Sequence, residues 1–186
     1  MRAIGMDPVH DTQSCFRALV STMSRPGTTA ETPVSPADHA VLATLVDHEV
    51  TCHTTDEEIR SALADQGRLT AAERSDADIV HAPTPADVDA AALTQGSLKE
   101  PSNGATVVYR VAELTPDPEA GDADVTVEIR GPGVPGTRQL GIDGLPEAEA
   151  AALVSAQEPY PRGVDAVFAT EDRIAALPRS TDLEVS

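Results

Sequence analysis

The chain contains no tryptophan, and aromatic residues make up only 2% of it: two phenylalanines and two tyrosines. Its core must therefore be built mostly from Val, Leu, Ile and Ala, which the hydrophobic content of 40% allows. A length of 186 residues suits one domain and is short for two. We therefore expect a single domain over residues 1–186.

Lysine is also scarce, since Lys99 is the only lysine among the 13 basic residues. Against 31 acidic residues this leaves a net charge of −18 at pH 7. A composition this acidic with almost no lysine suggests adaptation to concentrated salt. At 1 M salt the Debye length is about 3 Å, so surface carboxylates no longer repel one another over longer distances. The sequence shows no basic face, so we expect it to bind neither nucleic acid nor anionic lipid.

Long hydrophobic runs and a cysteine framework are missing too. The longest apolar stretch, around residues 40–46, is far too short to cross a membrane. Residues 1–11 have no apolar segment of the kind a signal peptide needs. Two cysteines, Cys15 and Cys52, do not form a disulfide framework. These features predict an intracellular, cytoplasmic protein.

Hydrophobic periodicity predicts a first helix over about residues 11–23. Phe16, Leu19, Val20 and Met23 follow the i, i+3, i+4, i+7 spacing of one apolar stripe, which we expect to face the core.

Local signals mark the starts of further helices. Ser35 followed by Pro36 is a typical helix start. Thr55 with Glu58 forms a capping box that predicts a helix reaching about residue 65. The remaining helices are predicted over residues 84–93 and 146–157.

Strands alternate with helices in the first half of the chain and cluster in the second half. They are predicted over residues 50–54, 78–82, 105–114, 125–130, 164–169 and 174–177. We expect the strands 105–114 and 125–130 to pair as a hairpin. The whole pattern predicts an α/β fold with a mixed sheet and helices on both faces.

His81 is the histidine whose position suggests chemistry. It lies at the predicted carboxyl end of a strand and just before a helix, where ligands bind in open α/β sheets. A general base acting on a small anionic substrate fits this position, and so does an ordinary capping or loop histidine. Cys52 and His53 are strand neighbours whose side chains point to opposite faces, so they are poorly placed to share a proton. The five histidines form no metal-binding motif.

Five residues in turns are candidate contacts for an anion or a partner: Arg25, Arg162, Arg179, Ser180 and Thr181. Each arginine adjoins a proline, and a planar guanidinium suits phosphate, phosphonate or carboxylate oxygens. The alternative for each arginine is a salt bridge within the fold or at a subunit contact. The residues themselves predict no complete catalytic constellation.

Six short motifs follow one another along the chain. The first two are Asp11-x-Gln13-x-x-Phe16-Arg17-x-Leu19 and Met23-Ser24-Arg25-Pro26-Gly27. The next two are Gly104-Ala105-Thr106-Val107-Val108 and Gly131-Pro132-Gly133-Val134. The last two are Tyr160-Pro161-Arg162-Gly163-Val164-Asp165 and Leu177-Pro178-Arg179-Ser180-Thr181. Taken in this order, the motifs resemble those of the PhnH family, whereas residues 55–82 match the family poorly, so the resemblance says little about their role.

The resemblance implies a three-layer α/β/α fold similar to the large domain of pyridoxal-phosphate-dependent transferases, but without that cofactor or any other. In keeping with this, the single lysine, Lys99, lies in a predicted loop with nothing cofactor-like around it. A pyridoxal-phosphate protein using Lys99 is the corresponding alternative.

The resemblance also implies a function that the chain does not perform alone. Members join PhnG, PhnI and PhnJ in the core complex of carbon–phosphorus lyase, and the isolated subunit is a homodimer. The complex transfers alkylphosphonate onto the ribose of a nucleoside triphosphate, and a radical iron–sulfur subunit then cleaves the C–P bond. The competing hypothesis is a free-standing enzyme that uses His81.

The charge composition generates a first prediction. Because salt screens repulsion among carboxylates, we predict that the melting temperature rises steeply with KCl concentration. Circular dichroism melts across a KCl series measure this. Full stability in dilute buffer would contradict salt adaptation and favour an ordinary acidic cytosolic protein.

Overall fold

The computed structural model describes residues 5–119 and 121–185. Its α-helices are α1 (His10–Ser24), α2 (Ala37–Leu45), α3 (Glu57–Asp65) and α4 (Glu147–Gln157). The strands up to the middle of the chain are β1 (Thr29–Glu31), β2 (Thr51–His53), β3 (Thr70–Ala71), β4 (Ile79–Ala82), β5 (Thr106–Arg110) and β6 (Glu113–Pro116). Those that follow are β7 (Val125–Arg130), β8 (Arg138–Asp143), β9 (Asp165–Ala169), β10 (Arg173–Leu177) and β11 (Asp182–Val185).

The larger sheet has seven strands in the order β1-β10-β9-β5-β4-β2-β3. From β9 across to β3 all neighbours pair in parallel, whereas β10 and β1 pair antiparallel. This is the predicted mixed sheet. Its parallel part brings the carboxyl ends of β2, β4 and β5 to one edge.

A second, antiparallel sheet has the order β11-β7-β8-β6. The predicted strand 105–114 is divided between the two sheets, because β5 ends at Arg110 and β6 begins at Glu113. The predicted hairpin is therefore wrong: β7 pairs with β8 and β11 instead. Alternating hydrophobicity located both strands, but it carries no information about which strand pairs with which.

The larger sheet separates two hydrophobic layers. Helices α1, α2 and α3 cover one face, and α4 with the second sheet covers the other. Alternation along β5 shows the division, because Val107 and Tyr109 pack toward the second sheet while Val108 packs toward the helices. Helices thus lie on both faces as predicted, and the second sheet shares one of those faces with α4.

The apolar stripe predicted for α1 is only partly buried. Leu19 is buried, but Phe16 is 53% exposed and Val20 is 51% exposed. The inward face is instead formed by small residues such as Cys15 and Ala18, beside Leu19. The prediction that Phe16 and Val20 face the core is therefore wrong, and the outer face of α1 carries apolar side chains.

Two helix starts and one whole predicted helix also differ from prediction. Helix α2 follows Pro36, which provides no side-chain cap. Helix α3 is capped by Asp56, whose carboxylate accepts hydrogen bonds from two backbone N–H groups, and not by Thr55. The segment 84–93 forms two short 3-10 turns, Pro85–Asp87 and Ala90–Ala92, in place of an α-helix. In the part of the chain that the structure describes, no helix is both long and apolar enough to span a bilayer.

A buried carboxyl–phenol pair joins α4 to the larger sheet. The Tyr109 hydroxyl donates a hydrogen bond to Glu149, and the Ala90 N–H donates to the same carboxyl oxygen at 3.1 Å. Burial raises the pKa of Glu149 to about 7, against the opposing effect of the Tyr109 hydrogen bond.

This raised pKa generates a prediction for Glu149→Gln, which keeps the acceptor oxygen and removes the ionisation. Because the folded-state pKa lies above the unfolded one, the native chain loses stability as the pH rises from about 4.5 to about 7. We expect Glu149→Gln to gain about 2 kcal/mol relative to the native chain between pH 5 and pH 8.

Urea unfolding at fixed KCl and several pH values measures this difference. Glu147→Gln is the matched control, since Glu147 is an exposed carboxylate on the same helix. A stability difference between Glu149→Gln and the native chain that stays constant across this pH range would contradict the account.

Candidate functional site

Polar side chains gather where the carboxyl ends of the parallel strands meet the start of α2. Strand alternation turns His81 of β4 and Arg110 of β5 toward the helices, on the same face as Val108. Asp38 and His39 come from the first turn of α2, and Thr54 and Asp56 lie between β2 and α3. We call these six residues the edge cluster: Asp38, His39, Thr54, Asp56, His81 and Arg110.

One half of the edge cluster is a chain of Thr54, His81 and Asp38. The Thr54 hydroxyl lies 2.9 Å from Nδ1 of His81, and Nε2 of His81 lies 2.8 Å from Oδ2 of Asp38. The side chains of His81 and Asp38 are fully buried. A hydroxyl, an imidazole and a carboxylate in this order form the arrangement that orients a general base.

The other half is centred on Arg110. Its Nε donates to Oδ2 of Asp38 at 2.7 Å, and its Nη2 donates to Oδ2 of Asp56 at 2.9 Å. The same Nη2 lies 2.9 Å from Nε2 of His39, which is itself 3.1 Å from Oδ2 of Asp56. One guanidinium therefore connects the start of α2, the cap of α3 and the end of β5.

The edge cluster shifts the ionisation of its acids. Burial disfavours charge on Asp38, but His81, Arg110 and His39 outweigh it and hold the pKa of Asp38 below its ordinary value. Burial also opposes ionisation of Asp56, yet bonds from His39 and Arg110 hold its pKa well below the ordinary value. Both carboxylates are therefore ionised at neutral pH.

Two buried polar atoms of the edge cluster have no hydrogen-bond partner in the described part of the chain: Oδ1 of Asp38 and Nδ1 of His39. Unsatisfied buried polar atoms are rare in proteins and cost stability, so they often mark functional sites. The edge cluster therefore has hydrogen-bonding capacity that the fold itself leaves unused.

Two cavities adjoin the edge cluster on different sides. Thr54 lines a cavity of about 570 Å³ together with Cys52, His53 and Arg60. His39, Asp56 and Arg110 line a second cavity of about 380 Å³, whose other lining residues are Pro36, Glu58, Val111, Ala112, Thr170 and Glu171. A ligand in the second cavity would face the guanidinium of Arg110.

Arg179, a candidate from the sequence, is held tightly within the fold. Its Nε lies 3.1 Å from Oδ2 of Asp165, and its Nη2 donates to the Gly104 carbonyl at 3.1 Å. It also donates to the Pro101 carbonyl. A Cβ on Gly104 would clash with the backbone carbonyl oxygen of Gly163 as well as with Nη1 of Arg179, so glycine is needed at this position.

The other four candidates do not form one site. Ser180 lines a cavity of about 480 Å³ with Arg179, while Thr181 is buried and donates to the Pro178 carbonyl at 2.6 Å. Arg25 is exposed and donates to Ser21 of α1. In the described residues, Nε of Arg162 is buried without a partner. Contact of any of these candidates with an anion or a partner stays a prediction.

The remaining residues singled out from the sequence are Cys52, His53 and Lys99, and none of them belongs to the edge cluster. Cys52 is buried, and burial raises the pKa of its thiol to about 12. The neighbouring ring of His53 lies 3.1 Å, through Nδ1, from the Ala72 carbonyl. Lys99 is exposed. Within residues 5–119 and 121–185, no three His, Cys, Asp or Glu side chains are placed to hold a metal ion together.

Sequence reasoning identified His81 but missed its partners. Asp38 and His39 lie 43 and 42 positions before it, and no local pattern links such distant residues. The one usable signal was Arg110, a charged residue ending an otherwise apolar strand at the same sheet edge as His81. Asp56 was hidden within a segment that reads as a capping box.

Comparison with known proteins agrees with the family resemblance. A family profile described as "Bacterial phosphonate metabolism protein (PhnH)" matches residues 5–184. The chain is 29% identical over 209 aligned positions to the alpha-D-ribose 1-methylphosphonate 5-triphosphate synthase subunit PhnH of Rhizobium meliloti (strain 1021). That alignment covers 96% of this chain and 92% of the relative. Since the family profile spans almost the whole sequence, the chain belongs to the PhnH family of phosphonate metabolism proteins.

Proposed function

We propose that this chain is a non-autonomous subunit of the phosphonate C–P lyase system. In that role it supports transfer of an alkylphosphonate onto the ribose of a nucleoside triphosphate. The observation that carries the proposal is the nearly full-length match to a protein named as a subunit of ribose 1-methylphosphonate 5-triphosphate synthase. The partner subunits are PhnG, PhnI and PhnJ, and the complex works in the cytoplasm.

The surface of α1 supports a role in assembly. Phe16 and Val20 stand on its outer face, more than half exposed, and Val9 just before the helix is 66% exposed. Exposed apolar side chains that cluster on one helix face mark protein–protein contacts. We propose that another subunit of the synthase covers this face, and that a second copy of the chain covers it in an isolated homodimer.

The geometry also favours a second candidate function. The sequence offered His81 without a partner, whereas the fold places Asp38 at 2.8 Å and the Thr54 hydroxyl at 2.9 Å from its two ring nitrogens. A general base needs such an orienting carboxylate. The second candidate is therefore a free-standing enzyme that acts on a small anionic substrate with His81 as the base.

Co-expression of the tagged chain with PhnG, PhnI and PhnJ in concentrated KCl tests the first proposal. We expect stable co-purification, synthase activity from the complex and no turnover by the chain alone. Phe16→Ser combined with Val20→Ser should release the partner subunits without unfolding the chain, because both side chains are exposed. Leu98→Ser is the matched control, since Leu98 is 76% exposed but lies outside α1.

A chain that fails to co-purify with these subunits would contradict the first proposal. Turnover by the purified chain alone, lost in His81→Gln, would establish the second candidate in its place.

A further inference from the structure

From the geometry around Arg110 we infer an oxyanion-binding site for the phosphoryl or phosphonyl group of a small molecule. The site is the cavity of about 380 Å³ at the start of α2, lined by Pro36, His39 and Arg110. The inference rests on the proposed function for the identity of the natural ligand. Binding of a simple probe, however, is a property of this chain alone.

Arg110 is held in place with one side free. Its Nε and Nη2 are engaged by Asp38 and Asp56, which fixes the plane of the guanidinium. Its side chain is 36% exposed, and Nη1 makes no hydrogen bond to any described residue. An immobilised guanidinium with free N–H groups on a cavity wall suits the oxygens of a phosphorus oxyanion, since little side-chain entropy remains to be lost.

His39 contributes a second unsatisfied group. Where Nη2 of Arg110 donates to Nε2 of the neutral ring, the ring hydrogen must sit on Nδ1. Where the ring is protonated and donates to Asp56, Nδ1 again carries a hydrogen. In both of these states Nδ1 is a buried donor without an acceptor, on a side chain that is only 2% exposed. In the third state the neutral ring donates from Nε2 to Asp56, and Nδ1 is an unpaired acceptor. In every state His39 therefore has one buried ring nitrogen whose hydrogen bond the described part of the fold leaves unmade.

The first turn of α2 adds backbone donors to these side chains. The Ala37 N–H is bonded to the carbonyls of Thr170 and Glu171. In the described part of the chain the N–H groups of Asp38 and His39 have no acceptor, and Pro36 provides no cap. The N-terminal end of a nine-residue helix also carries partial positive charge, which favours an anion.

The carboxylates of the site decide which anion fits. Asp38 and Asp56 are already paired with Arg110 and the histidines. Glu58 and Glu171 line the same cavity with exposed side chains, so they repel a bare anion. A carboxylate is, however, a good acceptor for hydroxyl groups. We therefore assign the site to a sugar that carries a phosphoryl or phosphonyl group, with its hydroxyls directed to Glu58 and Glu171.

Titration of the isolated chain with methylphosphonate, followed by ³¹P NMR at fixed KCl, tests the site. We expect saturable binding that inorganic phosphate competes away and that ribose 5-phosphate competes away at lower concentration. Arg110→Met should weaken binding by about tenfold or more, because the free N–H groups are lost. Arg60→Met is the matched control, an exposed arginine on α3 that lies outside this cavity and should leave binding unchanged.

A pair of surface substitutions keeps the test decisive if Arg110→Met does not fold. Glu58→Gln with Glu171→Gln removes two rim charges and should tighten methylphosphonate binding by about fivefold. Glu147→Gln with Glu158→Gln makes the same change in net charge at the two ends of α4, on the opposite face of the sheet, and should leave methylphosphonate binding unchanged. Equal effects of the two pairs, or unchanged binding in a folded Arg110→Met, would overturn the inference.

These results separate the site from the proposed assembly. If the chain co-purifies with the other subunits but does not bind methylphosphonate, the inferred site is wrong and the proposed function stands. Probe binding by a chain that fails to assemble would leave the site intact and contradict the proposed function.

Discussion

The placement of α2 and α3 over the sheet edge depends on one guanidinium shared between two carboxylates. Arg110 ends a central strand, and its two engaged nitrogens reach Asp38 in α2 and Asp56 at the cap of α3. Asp38 is fully buried, so an unpaired charge there would be strongly destabilising. Removal of one partner from such a buried pair costs about 3–5 kcal/mol in proteins. The edge cluster therefore helps to fix the geometry of the fold as well as that of the site.

The two faces of the larger sheet differ in the side chains that they carry. The face toward the second sheet is packed with apolar side chains and carries a few buried polar links, among them those of Glu149 to Tyr109 and of Gln157 to the Val164 and Leu177 carbonyls. The face toward the helices is apolar in its middle and polar at its carboxyl edge, where His81 and Arg110 replace hydrophobic residues. Apolar packing and the edge cluster are thus separated along the same strands. Two unsatisfied buried atoms, Oδ1 of Asp38 and Nδ1 of His39, lie where the parallel strands end.

Much of the fold could be predicted from the sequence, because local periodicity reports burial. It located most strands and predicted the mixed sheet. Pairing of β7 with β8 could not be predicted, since partner choice depends on the packing of the whole chain. The orientation of α1 failed for a related reason: small residues at Cys15 and Ala18 let the helix pack closely, and Phe16 is left outside.

The site was less predictable than the fold. His81 could be singled out because a strand end is a local feature, whereas Asp38 and Arg110 become its neighbours only after the chain folds. The family resemblance pointed to the subunit role, but it did not indicate the edge cluster. For the turn residue Arg179 the sequence left open a salt bridge within the fold, and the structure shows this arginine bonded to Asp165 and to two backbone carbonyls.

A double-mutant cycle in urea, at fixed KCl and neutral pH, tests most directly whether the Asp38–Arg110 pair organises this edge. The variants are Asp38→Asn, Arg110→Met and the double substitution. Since each single change removes a charge-paired hydrogen bond from a buried or half-buried partner, we predict a coupling free energy of about 2 kcal/mol or more. Additive effects, within about 0.5 kcal/mol, would contradict the account.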